Sequence, residues 1–128
     1  MLTGDTMKLT KSNEDYLEAI YQIYLTHEKI KSVEISKMLN VSKPGVTKAL
    51  KVLIEHNLIH KESYGNIYLT DEGKQKAQEI YFKHKTIKNF LLKIGVSPEI
   101  AESDCCKIEH VISNETLSKL LEYLKGSN

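Results

Sequence analysis

Ser32-Val33-Glu34-Ile35-Ser36-Lys37-Met38-Leu39-Asn40-Val41-Ser42-Lys43-Pro44-Gly45-Val46-Thr47-Lys48-Ala49-Leu50-Lys51-Val52-Leu53-Ile54 is the stretch that decides the fold. Ile35, Met38 and Leu39 recur at helical spacing behind Ser32, which predicts a short helix capped by that serine. Asn40-Val41 makes the turn. Ser42 then caps a longer helix that tolerates Pro44 in its first turn, with Val46, Ala49, Leu50, Leu53 and Ile54 on its apolar face. Helix, tight turn and helix within about 25 residues is helix-turn-helix spacing.

The polar side of the second helix carries Ser42, Lys43, Pro44, Gly45, Thr47, Lys48 and Lys51, mostly in its N-terminal half, where a recognition helix meets base edges and phosphates. Charge points the same way. From Lys29 to Lys61 there are seven lysines against Glu34 and Glu55, whereas Gly95 to Leu124 holds six acids against Lys107 and Lys119. A basic segment followed by an acidic one predicts a phosphate-binding surface and a separate carboxylate-rich site. The chain contains no arginine, so guanine cannot be read by a bidentate guanidinium, and base contacts fall to Lys, Asn, Ser and Thr.

Two short strands are predicted next, Leu58–Lys61 and Ile67–Leu69, with Tyr64-Gly65-Asn66 as their turn. A hairpin directly after a helix-turn-helix is the wing of a winged-helix domain, and Tyr64 at its tip joins the candidate DNA contacts. Before the motif, Ser12-Asn13-Glu14-Asp15 has the form of a capping box. Leu17, Ile20, Tyr21 and Tyr24 extend that helix to about Thr26. After the wing, Thr70-Asp71-Glu72-Gly73 opens a long helix reaching Lys93, Ser97-Pro98-Glu99 starts another, and Ser113 caps a last one ended by Gly126. The architecture expected is mainly α: a winged helix-turn-helix domain over residues 1–71 and an α-helical dimerisation domain over 72–128. The late helices carry more apolar surface than so small a domain can bury, and homodimerisation is the outlet.

Within the acidic half lies Cys106-Lys107-Ile108-Glu109-His110. On a helix, Cys106 stands one turn before Glu109 and His110, so thiolate, carboxylate and imidazole share a face. This borderline-soft set suits Fe, Co, Ni or Zn more than Mg or Ca. Three donors do not close a shell, and other helices offer the remainder: Asp15 with Glu18, and His84. Cys105, the neighbour, is expected to point off the ligand face.

No run approaches the ~18 apolar residues that span a bilayer. Met1-Leu2-Thr3-Gly4-Asp5-Thr6 lacks a signal peptide's apolar core and is expected to fray. The two cysteines are adjacent and cannot staple distant parts of the chain, which suits a reducing cytoplasm. Neither a membrane nor a small-molecule substrate is expected as partner.

Several strings, in order, resemble the metal-dependent repressors of the diphtheria toxin repressor and manganese transport regulator family: Glu14–Tyr21, Val46-Thr47-Lys48, Leu69–Gly73, His84 with Phe90-Leu91, Ile94-Gly95-Val96, and Ile108-Glu109-His110. The resemblance covers nearly the whole chain. It implies a homodimeric repressor of metal homeostasis on a double-stranded operator, with Mn(II) or Fe(II) as co-repressor and Co, Ni or Zn as in-vitro substitutes. It implies Asp15, Glu18, His84, Cys106, Glu109 and His110 as ligands. Manganese-type members resemble the chain at Asp15 and Glu18 but carry a carboxylate at the place of Cys106; iron-type members carry the cysteine but a Met at the place of Asp15. Lys88 stands where relatives often have an acid near a second cation, which argues against two cations, although Glu102 offsets part of its charge. The iron-type branch often appends a C-terminal β domain, and a short form without it is expected here.

Other readings stay open at this level. A metal-independent winged-helix regulator keeps the DNA half and treats Cys106 as packing. A metallo-hydrolase lacks a His-Glu-x-x-His helix and a placed general base. A thiol redox sensor needs an exposed, low-pKa cysteine.

Overall fold

The computed structural model describes residues 9–26 and 29–126; the N-terminal stretch expected to fray lies outside them. Among the described residues the elements run α1 (Lys11–Thr26), α2 (Ser32–Leu39), α3 (Lys43–Glu55), β1 (Ile59–Lys61), β2 (Ile67–Leu69), α4 (Asp71–Lys93), α5 (Pro98–Ile108) and α6 (Asn114–Gly126). The fold is mainly α, with a winged helix-turn-helix followed by helices, as the periodicity predicts. Two compact units divide the chain, Met1–Gln78 and Glu79–Asn128, so α4 opens in the first and continues into the second.

In the first unit α1, α2 and α3 pack on one another and α3 on β1. Leu17, Ile20, Ile23, Ile35, Val46, Leu50, Leu53, Ile59 and Ile67 form the core, each 2% exposed or less. Burying one such side chain stabilises the fold by roughly 1.5–3 kcal/mol. Tyr24 and Ile54, expected on the apolar stripes, are 40% and 43% exposed; both stand at the edge of their stripe. The turn of the helix-turn-helix works because Asn40 takes a left-handed φ of 54° that closes α2. Ser42 Oγ then accepts a bond from Gly45 N at 3.2 Å to start α3.

Two caps differ from expectation. α1 starts at Lys11, and Thr10 Oγ1 caps it by accepting from Asn13 N at 3.1 Å. Ser12 has the same local chemistry but lies inside the first turn. α2 includes Ser32, with Lys31 as N-cap and the Glu34 carboxylate accepting from Lys31 N at 3.2 Å.

The wing pairs β1 and β2 antiparallel, with His60 opposite Tyr68. Gly65 supplies the positive φ of 89° its turn requires. A third rung has no signal in the local sequence: Ile67 N donates to Ile30 O at 2.9 Å, bridging the segment before α2 to the wing. Gly73 fixes the helix that leaves the wing. A Cβ there would lie 1.9 Å from Leu58 O, so only glycine lets α4 approach the backbone just ahead of β1.

In the second unit Ile87, Ala101 and Cys105 are fully buried. Phe90 meets Tyr123 edge-on at 5.6 Å, joining α4 to α6. Gly95, at φ 101°, ends the α4 turn, and Val96 N returns to Leu91 O at 2.9 Å. Ser113 Oγ caps α6 by accepting from Thr116 N at 3.1 Å. α6 has no buried residue; its stripe of Leu117, Leu120, Leu121 and Leu124 is only half-covered. Among the described residues no helix is long and apolar enough to cross a membrane.

Candidate metal centre and nucleic-acid interface

The second unit is built around His84, in the middle of α4 and 8% exposed. Its Nδ1 lies 2.8 Å from Glu109 Oε1 and its Nε2 3.2 Å from Glu102 Oε1. A neutral imidazole has one N–H and so can donate to only one of these carboxylates. The other nitrogen faces an oxygen across a gap that a proton or a cation must fill.

Both cysteines of α5 come to this ring. Cys106 Sγ stands 4.0 Å from His84 Nδ1 and 3.5 Å from Glu102 Oε2. Cys105 Sγ is 3.6 Å from each ring nitrogen and 3.3 Å from the Glu102 carbonyl. The expectation that Cys105 points away is therefore corrected. It rests on the α5 face alone, whereas α4 brings the ring within reach of both sulfurs. His84, Glu102, Cys105 and Cys106 each offer a ligand atom within 4.8 Å of the others.

Glu109 follows as the C-cap of α5, still in right-handed helical conformation, with its N–H bonded to Cys105 O at 3.0 Å. The one-turn spacing from Cys106 to Glu109 thus holds. His110 falls just past the regular helix, its N–H bonded to Lys107 O at 3.4 Å, and its Nε2 is 3.6 Å from Glu109 Oε2. Glu109 is 3% exposed, and its Oε2 has no hydrogen-bond partner. Burying such an oxygen is costly, and a cation ligated there would remove the cost. Asp15 and Glu18 lie one turn apart on α1 in the first unit, Asp15 half-buried and Glu18 buried.

Electrostatics at the centre follow from burial and from Lys88, whose Nζ is 2.9 Å from Glu102 Oε1. The hydrogen bond and charge of Glu102 raise the Lys88 pKa. Burial works against ionising Glu102, but its bond to Lys88 and the charges of His84 and Lys88 outweigh this and hold the carboxyl below its usual range. Burial, then the charges of Glu102 and Glu109, push the Cys105 thiol up to about 11. Burial and the charge of Cys105 push Cys106 higher still. Such thiols stay protonated at neutral pH, opposite to what a redox-sensing cysteine needs. A coordinating cation, by contrast, deprotonates a thiol outright. The donors present fit a transition-metal ion.

The predicted DNA contacts lie on α3 and the wing. Ser42, Lys43, Pro44, Thr47, Lys48 and Lys51 are exposed and Gly45 half-buried. The Thr47 hydroxyl donates to Lys43 O at 3.1 Å. Tyr64 is 86% exposed at the wing tip.

Residues 8–77 match the iron dependent repressor N-terminal DNA binding domain, and residues 70–127 the iron dependent repressor metal binding and dimerisation domain. The chain belongs to the iron-dependent repressor family. A relative in Methanocaldococcus jannaschii, an uncharacterized HTH-type transcriptional regulator, is 37% identical over 91% of this chain and 95% of its own length. The transcriptional regulator MntR of Salmonella typhimurium is 38% identical over 86% of this chain and 70% of its own. Among solved structures, the manganese regulator SloR superposes with a TM-score of 0.80 at 29% identity over 91% of the chain. IdeR of T. acidophilum gives 0.79 at 28% over 92%. The chain spans 55% of the length of each of these two structures. Iron-dependent repressors are transcription regulators and not enzymes, so the metallo-hydrolase reading falls.

Glu102 and Cys105 are the members of the centre that motif reading does not place among the ligands. The i,i+3 and i,i+4 steps of Glu102 to Cys105 and Cys106 are legible, but acids one turn from cysteines on a helix are common, and only the ring of His84 singles these out.

Proposed function

We propose that this chain is a homodimeric repressor of metal-ion homeostasis whose binding to a double-stranded operator depends on a divalent transition metal, Mn(II) or Fe(II). The observation that carries the reading is the convergence on His84 of Cys106 and Glu109, beside a buried carboxylate oxygen of Glu109 that makes no hydrogen bond and faces His110 Nε2 at 3.6 Å. It occurs in the region matched by a metal binding and dimerisation domain. The ligands proposed are His84, Cys106, Glu109 and His110 from the helical unit, with Asp15 and Glu18 added by the family resemblance. A bound dication there supplies the positive charge that offsets these carboxylates and the thiolate. Solved relatives named as a manganese regulator and a manganese-activated repressor favour Mn(II), whereas the sulfur of Cys106 favours Fe(II).

The DNA half acts through its own residues. Lys43, Lys48 and Lys51 meet phosphates, Ser42 and Thr47 offer hydroxyls to base edges, and Tyr64 extends the contact from the wing. The half-covered leucine stripe of α6 offers a face to a second copy. Two copies present two recognition helices, as half-sites in successive major grooves require. Coupling between metal and DNA of about 1–3 kcal/mol makes operator affinity roughly 5–150-fold metal-dependent.

The test is retention on AT-rich duplexes at fixed salt with chelator, Mn(II), Fe(II) or Zn(II). Fixed salt is needed because lysine–phosphate contacts alone give salt-dependent, sequence-blind binding. Retention is expected to require a cation, and the gain on adding one is expected to vanish in Cys106→Ala and Glu109→Ala. Retention indifferent to chelator would establish the metal-independent winged-helix regulator instead.

A further inference from the structure

His84, Glu102, Cys105 and Cys106 form a four-donor set that lies wholly within the second unit. Their separations are close to those of a ligand shell. A tetrahedral ion with bonds of about 2.0–2.3 Å sets its ligand atoms about 3.3–3.8 Å apart. Here His84 Nε2 is 3.2 Å from Glu102 Oε1 and 3.6 Å from Cys105 Sγ, and Glu102 Oε2 is 3.5 Å from Cys106 Sγ. One ligand atom from each of the four residues lies within 4.8 Å of the others, so closing a shell with an outer spacing of about 3.8 Å needs side-chain shifts of about an ångström or less.

The orientation of the ring adds to this. Glu109 Oε1 lies 2.8 Å from Nδ1, where it can accept a hydrogen bond from a protonated Nδ1. On the other side of the ring Nε2 lies 3.2 Å from Glu102 Oε1, and Cys105 Sγ is 3.6 Å from both ring nitrogens. A carboxylate holding one imidazole nitrogen while the other binds a cation is the usual outer support of a histidine ligand. Glu102 is arranged in the same sense: Oε1 is engaged by Lys88, and Oε2 is turned to Cys106.

We infer that Cys105 and Glu102 are ligands alongside His84 and Cys106, so that the helical unit presents two sulfurs, one nitrogen and one oxygen to a single thiophilic dication such as Zn(II) or Co(II). Two sulfurs move the preference well away from Mn(II), which favours oxygen donors. Binding releases one proton from each thiol, and no oxidant or reductant is involved. The inference takes its location from the metal site of the proposed function, replaces Glu109 and His110 by Glu102 and Cys105 in the shell around His84 and Cys106, and does not depend on coupling to DNA.

The experiment uses the full chain, reduced and kept under argon, with Co(II) as the probe. Sulfur-to-cobalt charge-transfer absorption is measured in the wild type, Cys105→Ser and Cys106→Ser. Each single variant is expected to lose about half the intensity per cobalt, because each thiolate contributes one bond. Undiminished absorption in Cys105→Ser would overturn the proposal. Cys105 is fully buried, so a variant that fails to fold is covered by two further measurements. X-ray absorption of the Zn(II)-loaded wild type counts sulfur neighbours: two support the site, and one or none overturns it. Glu102→Gln, at a half-exposed side chain, should weaken Co(II) binding by at least about tenfold, and unchanged affinity would remove Glu102 from the shell. Chelator-indifferent DNA retention with a two-sulfur spectrum would sink the repressor mechanism and leave this site standing. Metal-gated retention with one sulfur would do the reverse.

Discussion

His84 Nδ1 lies 2.8 Å from Glu109 Oε1, a buried contact between the middle of α4 and the residue that ends α5. It ties the helices that carry the candidate metal donors. Glu109→Gln keeps the shape but removes the charge and permits the amide to present N–H to the ring. Metal affinity is expected to fall about 10–100-fold, measured by Co(II) or Mn(II) titration of the folded variant. An affinity within twofold of wild type would show that Glu109 is packing only.

Lys88 gives a prediction of opposite sign. Its ammonium sits 2.9 Å from Glu102 Oε1 and is partly exposed, so it repels an incoming dication while solvent screens much of the effect. Lys88→Gln is expected to raise cation affinity by about two- to fivefold, the range of an exposed ion pair. A fall in affinity would mean that the lysine chiefly orients the Glu102 carboxylate.

Much of this arrangement is legible in the order of residues alone. Helical periodicity locates α1, α3 and α4, and the turn at Asn40-Val41 follows from Asn40, which tolerates a left-handed backbone. Donor chemistry and resemblance single out His84, Cys106 and Glu109, and the fold gathers them. What the sequence hides depends on partners far along the chain. The Ile30–Ile67 bridge joins residues of which the first has no local strand signal. Thr10 caps α1 although Ser12 has equivalent chemistry, and nothing in the local sequence separates the two. Cys105 looks irrelevant when the face of α5 is judged from α5 alone, and the ring that makes it relevant arrives from α4, 21 residues upstream.

Gly73 tests how tightly the wing is joined to α4. A methyl group there would meet the Leu58 carbonyl at 1.9 Å, against backbone that cannot swing aside. Gly73→Ala is expected to destabilise the first unit by about 1–3 kcal/mol, the usual cost of overpacking. For a unit this size that lowers the melting temperature by roughly 4–8 °C per kcal/mol. Gly126→Ala, with nothing within 4 Å of the added carbon, is the control and should stay within about 0.5 kcal/mol of wild type. Equal melting temperatures for the two variants would mean that α4 can draw back from the wing without loss.

The absence of arginine makes the lysines of α3 the clearest test of how this chain holds DNA. Lys48 and Lys51 are exposed on α3, one turn apart, with no acid on that helix before Glu55. If each neutralises one phosphate, Lys48→Gln and Lys51→Gln each reduce the slope of log affinity against log salt by about 0.9. They should weaken operator and unrelated duplex alike, because phosphate contacts carry no sequence information. Thr47→Val should behave differently. It removes the hydroxyl proposed to meet base edges, leaves the charge intact, and so should keep the salt slope while narrowing the gap between operator and random DNA. Affinity measured across a salt series on both duplexes separates the two. A lysine variant that lowers operator affinity without changing the slope would place that lysine on a base instead of the backbone.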